Sequence, residues 1–197
     1  MRLHPVASAL LVASLFCLSA AAPVRADVRD EVITAFRKAM AEDSYRISLE
    51  VANKRGPVLA QIDVQLPNRF HLSSNEVEFI SIGNVAYIHA GGRWTQVPVD
   101  MSSQLQGFRI TDLEPVAGAL ADVEARPDED VKGCKSRVYR YLTTSTIAGR
   151  SSQDQAELAV CQISGLPVRL RSSPIKKGEA VTIHYDYDAN VDIRVPQ

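Results

Sequence analysis

Residues 46–97 form a ladder of short segments in which apolar and polar residues alternate. Tyr45, Ile47, Leu49 and Val51 interleave with Arg46, Ser48 and Glu50, and Ile62, Val64 and Leu66 with Gln61, Asp63 and Gln65. Gly, Pro and Asn interrupt the runs at residues 53–57, 67–68, 83–84 and 91–92. A period of two bounded by such residues predicts consecutive antiparallel strands with one dry and one wet face. Gly83-Asn84 fits a two-residue hairpin loop that takes positive φ. A second ladder closes the chain. Val138, Arg140 and Leu142 alternate with Arg137, Tyr139 and Tyr141, and after a polar loop at 148–155 the run 158–163 returns. Residues 168–171, 179–188 and a last short strand through Val191, Ile193 and Val195 complete it.

Two stretches keep a different period. Val28, Val32, Ala35, Phe36, Ala39 and Met40 recur at three and four residues, which predicts a helix over 28–43. Asp27 is its expected N-cap, and Asp30 and Glu31 stand where the helix dipole favours acids. Between the ladders, Leu105, Phe108, Leu113, Val116, Ala117, Leu120 and Val123 suit short helices, with Asp112 as a cap and Pro115 in an early helical position. Residues 126–130 read as a polar loop. There is no strand–helix–strand rhythm. The expected fold is α+β: a strongly curved antiparallel sheet of about eleven short strands with two or three helices packed on it.

The first 26 residues form a separate object. Arg2 precedes an apolar, alanine-rich run, and Val24-Arg25-Ala26 places small residues at −3 and −1 of a cleavage site. This is the layout of a secretory signal peptide, cleaved after Ala26, and it implies a periplasmic protein. Phe16 precedes Cys17 where a lipid-attachment cysteine needs a small residue, so Cys17 is expected to leave with the signal. Residues 27–197 are then one domain, expected to be a monomer. Losing Arg2 and Arg25 leaves 20 basic against 23 acidic residues, a formal charge near −3. That balance, with no basic patch, argues against a nucleic-acid partner. Cys134 and Cys161 remain. An even count in an exported chain reads as one disulfide, and a hairpin centred near Ala148 brings the two cysteines together across its strands. Such a loop closure stabilises by roughly 3 kcal/mol in the chain-entropy model.

Catalytic signatures are missing from the sequence. It holds no Gly-x-Ser-x-Gly, no His-Glu-x-x-His and no phosphate-binding Gly-rich loop. His71, His89 and His184 lie in expected strands without His-x-His or His-x-x-x-His spacing, so no metal or other cofactor is expected. Asp186 and Asp188 flank Tyr187 as a solvated acidic pair. The expected binding residues are instead the apolar side chains of the ladder: Tyr45, Ile47, Ile62, Val64, Phe70, Leu72, Phe79, Tyr87, Trp94, Ile183 and Tyr185. Together they would line an apolar pocket in the concave face.

Several motifs carry a resemblance. These are the early helix followed by paired strands, the corner Leu66-Pro-Asn-Arg-Phe70, and Glu78-Phe-Ile-Ser-Ile-Gly-Asn-Val-Ala-Tyr87 followed by Trp94. Gly165-Leu-Pro-Val-Arg169, Thr182-Ile-His-Tyr-Asp-Tyr187 and Val191-Asp-Ile-Arg-Val-Pro196 close the set. In their order and spacing the chain resembles the LolA-like superfamily of periplasmic lipoprotein and lipid carriers, whose relatives include mycobacterial lipoglycan-binding lipoproteins. The resemblance implies a half-barrel with a cavity for acyl chains, no catalytic residues, and a lipid or acylated protein as partner. Leu66 stands where the lipoprotein-carrier branch has an important Arg. That departure favours binding of a lipid or other hydrophobic ligand over classical lipoprotein shuttling. The alternative is a protein-interaction or envelope-stress sensor module on the same fold, with an envelope membrane protein as partner.

Overall fold

The computed structural model describes residues 27–52, 54, 56–97, 113–147, 150–176 and 178–197. The proposed signal segment and most of the first inter-ladder helical stretch, including Asp112, lie outside them. Among the described residues eleven strands form one antiparallel sheet with the order β6-β5-β4-β3-β2-β1-β11-β10-β9-β8-β7. It does not close on itself: β6 and β7 remain at opposite edges. The fold is α+β, as the alternation predicted, and an incomplete barrel, as the resemblance implied.

Two meanders build it. The first runs β1 (Ser44–Val51), β2 (Val58–Gln65), β3 (Arg69–Ser74), β4 (Glu78–Ile82), β5 (Val85–Ala90) and β6 (Arg93–Val97). The second runs β7 (Ala121–Val131), β8 (Cys134–Ile147), β9 (Arg150–Cys161), β10 (Pro167–Pro174) and β11 (Val181–Asp186). They meet at a seam between the first strand and the last, with Ile47 opposite Tyr185 and Leu49 opposite Ile183. Gly83 supplies the positive φ of 60° that the tight β4–β5 loop requires.

Residues opposite each other in an antiparallel pair share a face. One inner row therefore runs Phe79, Leu72, Ile62, Ile47, Tyr185, and the next outer row runs Ile80, His71, Asp63, Arg46, Asp186. On the inner face Tyr45, Ile47, Ile62, Val64 and Phe70 are buried together. Over the second meander lie helix α1 (Val28–Met40) and helix α2 (Leu113–Ala119). Asp27 caps α1, accepting from the Arg29 amide at 3.2 Å. Val32, Ala35 and Phe36 of α1 pack on Tyr139, Tyr141, Ala156, Leu158 and Val160. The periodic apolar stripe of α1 thus covers the inner face of β8 and β9. Glu31 fastens it there, accepting from the Tyr139 hydroxyl and from Arg137 Nη1 at 3.1 Å. Burial and this carboxylate push the Tyr139 phenol up to about 12.

Three expectations need correction. Residues 121–130, read as a helix end and a polar loop, form edge strand β7. Its exposure, Pro127 and two register shifts hide the strand pattern from a periodicity reading, and such features also discourage edge-to-edge pairing. The arms of the β8–β9 hairpin extend to Ile147 and from Arg150, through what looked like a loop. Lastly, residues 191–195 are not a strand. Val191 and Ile193 are buried against Ile80, with Ile82, Tyr87 and Trp94 packed around them on the outer face. Arg69 Nη1 donates to the Ile193 carbonyl at 2.8 Å, and the Ile193 amide donates to Gln65 Oε1 at 3.3 Å. This tail is strapped by its own backbone polar groups without joining the sheet.

Cys134 and Cys161 form the disulfide, with Cα atoms 5.7 Å apart. The bridge is diagonal, because Cys161 stands opposite Ser136.

Candidate functional site

A cavity of about 390 Å³ lies between the helices and the inner face. Its floor comes from Ile47, Tyr141, Thr143, Ala156, Leu170, Ser172, Ile183 and Tyr185, and its roof from Phe36, Pro115, Val116, Ala119 and Leu120. The position follows from the topology. The helices cover the second meander, and the seam brings β1 and β11 beside it. Small residues leave the space: the cross-strand row Val181, Ser172, Ala156 puts a hydroxymethyl and a methyl where the neighbouring row has Ile183, Leu170 and Leu158. A volume of this size is at the lower end of the range for small-molecule sites, about 300–1,000 Å³.

The lining carries no carboxylate, histidine, lysine, arginine or cysteine among the described residues. Its polar groups are the hydroxyls of Tyr141, Thr143, Ser172 and Tyr185. Burial pushes the Tyr141 and Tyr185 phenols well above the ordinary tyrosine value, and each phenol raises its neighbour further: Tyr185 acts on Tyr141, and Tyr45 on Tyr185. Both therefore stay neutral at physiological pH. With no group titrating near neutrality, the lining offers no general base. It can hold an apolar chain and a few hydrogen bonds.

Nine of the eleven predicted lining residues share the inner face: Tyr45, Ile47, Ile62, Val64, Phe70, Leu72, Phe79, Ile183 and Tyr185. Of these, Ile47, Ile183 and Tyr185 reach the cavity. The others pack together over the first meander, where Tyr45 and Tyr187 rings stand 5.6 Å apart and Tyr185 and Tyr187 stack at 6.2 Å. Tyr87 and Trp94 are on the other face, under the terminal tail. The reason is parity. Strand β4 is apolar on both sides, Phe79 inward and Ile80 outward, so alternation alone does not say which way the paired aromatics of β5 and β6 point. The remaining cavity residues were missed in the sequence. Tyr141, Leu170 and Ser172 sit in strands whose pattern was legible, but only their position beneath α1 and α2 makes them a lining.

The outer face is wet and ionic. Arg46 grips the buried Asp63 with two bonds of 2.6 and 2.8 Å, and this pairing raises the guanidinium pKa. Glu78 accepts from His71 at 3.0 Å and lies 3.4 Å from His89, whose ring stands 5.0 Å from Trp94. Arg169, 5% exposed, reaches Glu129 at 2.6 Å and Glu157 at 3.3 Å. His184 lies beside it, its Nδ1 buried without a hydrogen-bond partner. Desolvation, then the charges of Lys132, Arg169 and Arg171, lower its pKa. A separate polar cleft of about 490 Å³ flanks α1, with Glu31, Lys38, Arg137 and Tyr139 among its walls.

No protein-family model and no curated protein matches the sequence. Solved structures match the fold. The Mycobacterium tuberculosis lipoprotein LppX superposes with a TM-score of 0.64 at 14% identity, over 85% of this chain and 98% of LppX. LprF from Mycobacterium bovis gives 0.66 at 14% identity, over 86% of this chain and 96% of LprF. MucB gives 0.57 at 14% identity over 88% of this chain, which spans only 64% of MucB. MucB of Pseudomonas aeruginosa is also known in complex with MucA. At these identities the likeness is one of fold, and the half-barrel implied by the LolA-like resemblance is the fold of this chain.

Proposed function

Proceeding from the fold shared with LppX and LprF, we propose that this chain is a periplasmic binding or carrier protein. It holds one acyl chain of a lipid or acylated protein between its two helices and the inner face of its sheet. The observation that carries this reading is the cavity itself: a half-open space between the helices and the sheet, walled mainly by aliphatic and aromatic side chains, with no charged side chain among the described residues. A water occupies about 30 Å³, so the space equals about a dozen waters, and methylenes of similar size fill it as one medium-length chain. Each buried CH₂ contributes ~0.8 kcal/mol, against which the ordering of the chain must be set. The apolar leader in residues 1–26 supports export.

The test is native mass spectrometry of protein purified from its own periplasm, followed by organic extraction. A stoichiometric mass surplus that extracts as lipid is the expected result. A bare mass, combined with failure to bind a fluorescent fatty-acid probe, would overturn it.

A second reading draws on MucB, which shares the fold and is known with a protein partner. On that reading the chain is an interaction module for an envelope membrane protein, and co-purification of one stoichiometric protein without lipid would favour it.

A further inference from the structure

The cavity is apolar in its walls but not in its chemistry. Tyr141 is 4% exposed and lines the cavity, as does Tyr185. Among the described residues neither hydroxyl has a hydrogen-bond partner. Ser172 also lines the cavity, two strands from Tyr141 in the cross-strand row that runs through Ala156. Thr143 follows two residues along β8, on the same face as Tyr141. Buried phenols normally find a partner, because an unmade hydrogen bond costs more than a made one gains. Here the free donors open on a space. The phenols remain protonated at physiological pH because burial disfavours the phenolate. They present O–H donors to whatever fills the cavity.

Among the described residues no cation lines the cavity, so an ionised phosphate or carboxylate drawn inside would lose its hydration with nothing there to neutralise it. A neutral oxygen meets the opposite situation: a carbonyl accepts from the free hydroxyls without bringing a charge. We propose that the cavity selects its ligand by a neutral carbonyl at the head of the acyl chain, an ester or an amide, bonded by the hydroxyls of Tyr141 and Tyr185 with Ser172 and Thr143 in support. Ionised groups of the same ligand stay outside. This rests on the cavity being a ligand site and adds the chemistry by which it discriminates. Such an acyl carbonyl comes from a glycerolipid or from an acylated protein.

The experiment is competitive displacement of a fluorescent apolar probe from the full mature chain at pH 8, with four twelve-carbon competitors. Monolaurin represents a glycerolipid ester, an N-lauroyl peptide amide represents an acylated protein, laurate is the ionised acid, and dodecane has no head. A neutral hydrogen bond corresponds to about a fivefold change in affinity. The ester or the amide should therefore beat laurate about tenfold or more, and whichever binds tighter assigns the source. Tyr141→Phe should weaken ester binding about fivefold, and Tyr141→Phe/Tyr185→Phe about twentyfold, while dodecane binding is unchanged. Because neither hydroxyl has a partner among the described residues, the melting temperature of the ligand-free variants should stay within about 2 °C of wild type. Equal binding of ester and laurate by the wild type, or an ester affinity unchanged in the double variant, overturns the proposal and leaves the carrier reading standing. If no competitor, dodecane included, displaces the probe, both fall together.

Discussion

Filling the cavity turns the question of whether it is open into one of sign. Ser172 of β10 is half-buried, faces inward and lines the space. Ser172→Ile replaces a hydroxyl with three carbons, and the β-branched side chain suits a strand. If the space is empty, about two to three further carbons are removed from water at ~0.8 kcal/mol each, an upper bound near 2 kcal/mol. Allowing for the partial exposure of the site, the gain is ~1 kcal/mol, and for a chain of this length that raises the melting temperature by about 2–4 °C. If the space is instead occupied by well-packed side chains, the same substitution overpacks it and costs ~1–3 kcal/mol. Thermal unfolding of delipidated protein reads the sign, and probe titration of the same sample reads the site. The expected result is higher stability with lost binding. A lower melting temperature in the ligand-free variant would refute the reasoning, because it would mean there was no room.

Further predictions address the scaffold. Replacing both Cys134 and Cys161 by Ala opens a bridge of sequence separation 27; the chain-entropy model puts the cost at ~3.5 kcal/mol, or about 10 °C in thermal unfolding. Arg169→Met leaves Glu129 and Glu157 facing each other without their cation; since both acids are partly exposed, the cost should be ~2 kcal/mol, below the full figure for a buried pair, and a denaturant titration of Arg169→Met/Glu157→Gln should recover part of it. His184 has a lowered folded-state pKa, so the unfolded chain takes up its proton first on acidification. The contribution to stability is complete above about pH 6.5 and is lost as pH falls through the lowered value. Melting temperatures at pH 7.5 and 5.0 should therefore converge in His184→Gln relative to wild type.

Alternation made the first meander legible almost strand by strand, because its polar residues face water on one side and its apolar ones meet a core on the other. It failed where both faces are covered or neither is. Ile80 and Tyr87 are apolar on the outer side because Val191 and Ile193 lie over them, so the parity of Trp94 could not be read locally. Strand β7 fails the other way: with little to bury, 121–130 shows no pattern. The candidate site was half visible. Ile47, Ile183 and Tyr185 declare themselves as inward strand residues. Ser172 and Ala156 do not, because what matters there is their smallness beneath a helix more than a hundred residues away in sequence. That a hollow results is a property of packing and has no periodic signature.

The two meanders also exchange their ends. Helix α1, from the start of the chain, covers the inside of the second meander, and the tail carrying Val191 and Ile193, from its finish, covers the outside of the first. Between them the opening and closing strands are paired, Arg46 beside Asp186. Neither half owns all the pieces that shield it. A break in the chain between β6 and α2 would give two fragments, each lacking part of its own cover and carrying part of the other's. Expressed together they should reassemble; expressed alone, each should expose an apolar sheet face and aggregate. During synthesis the outer face of the first meander must then wait unshielded until Val191 and Ile193 arrive. That interval is when a folding helper has something to hold.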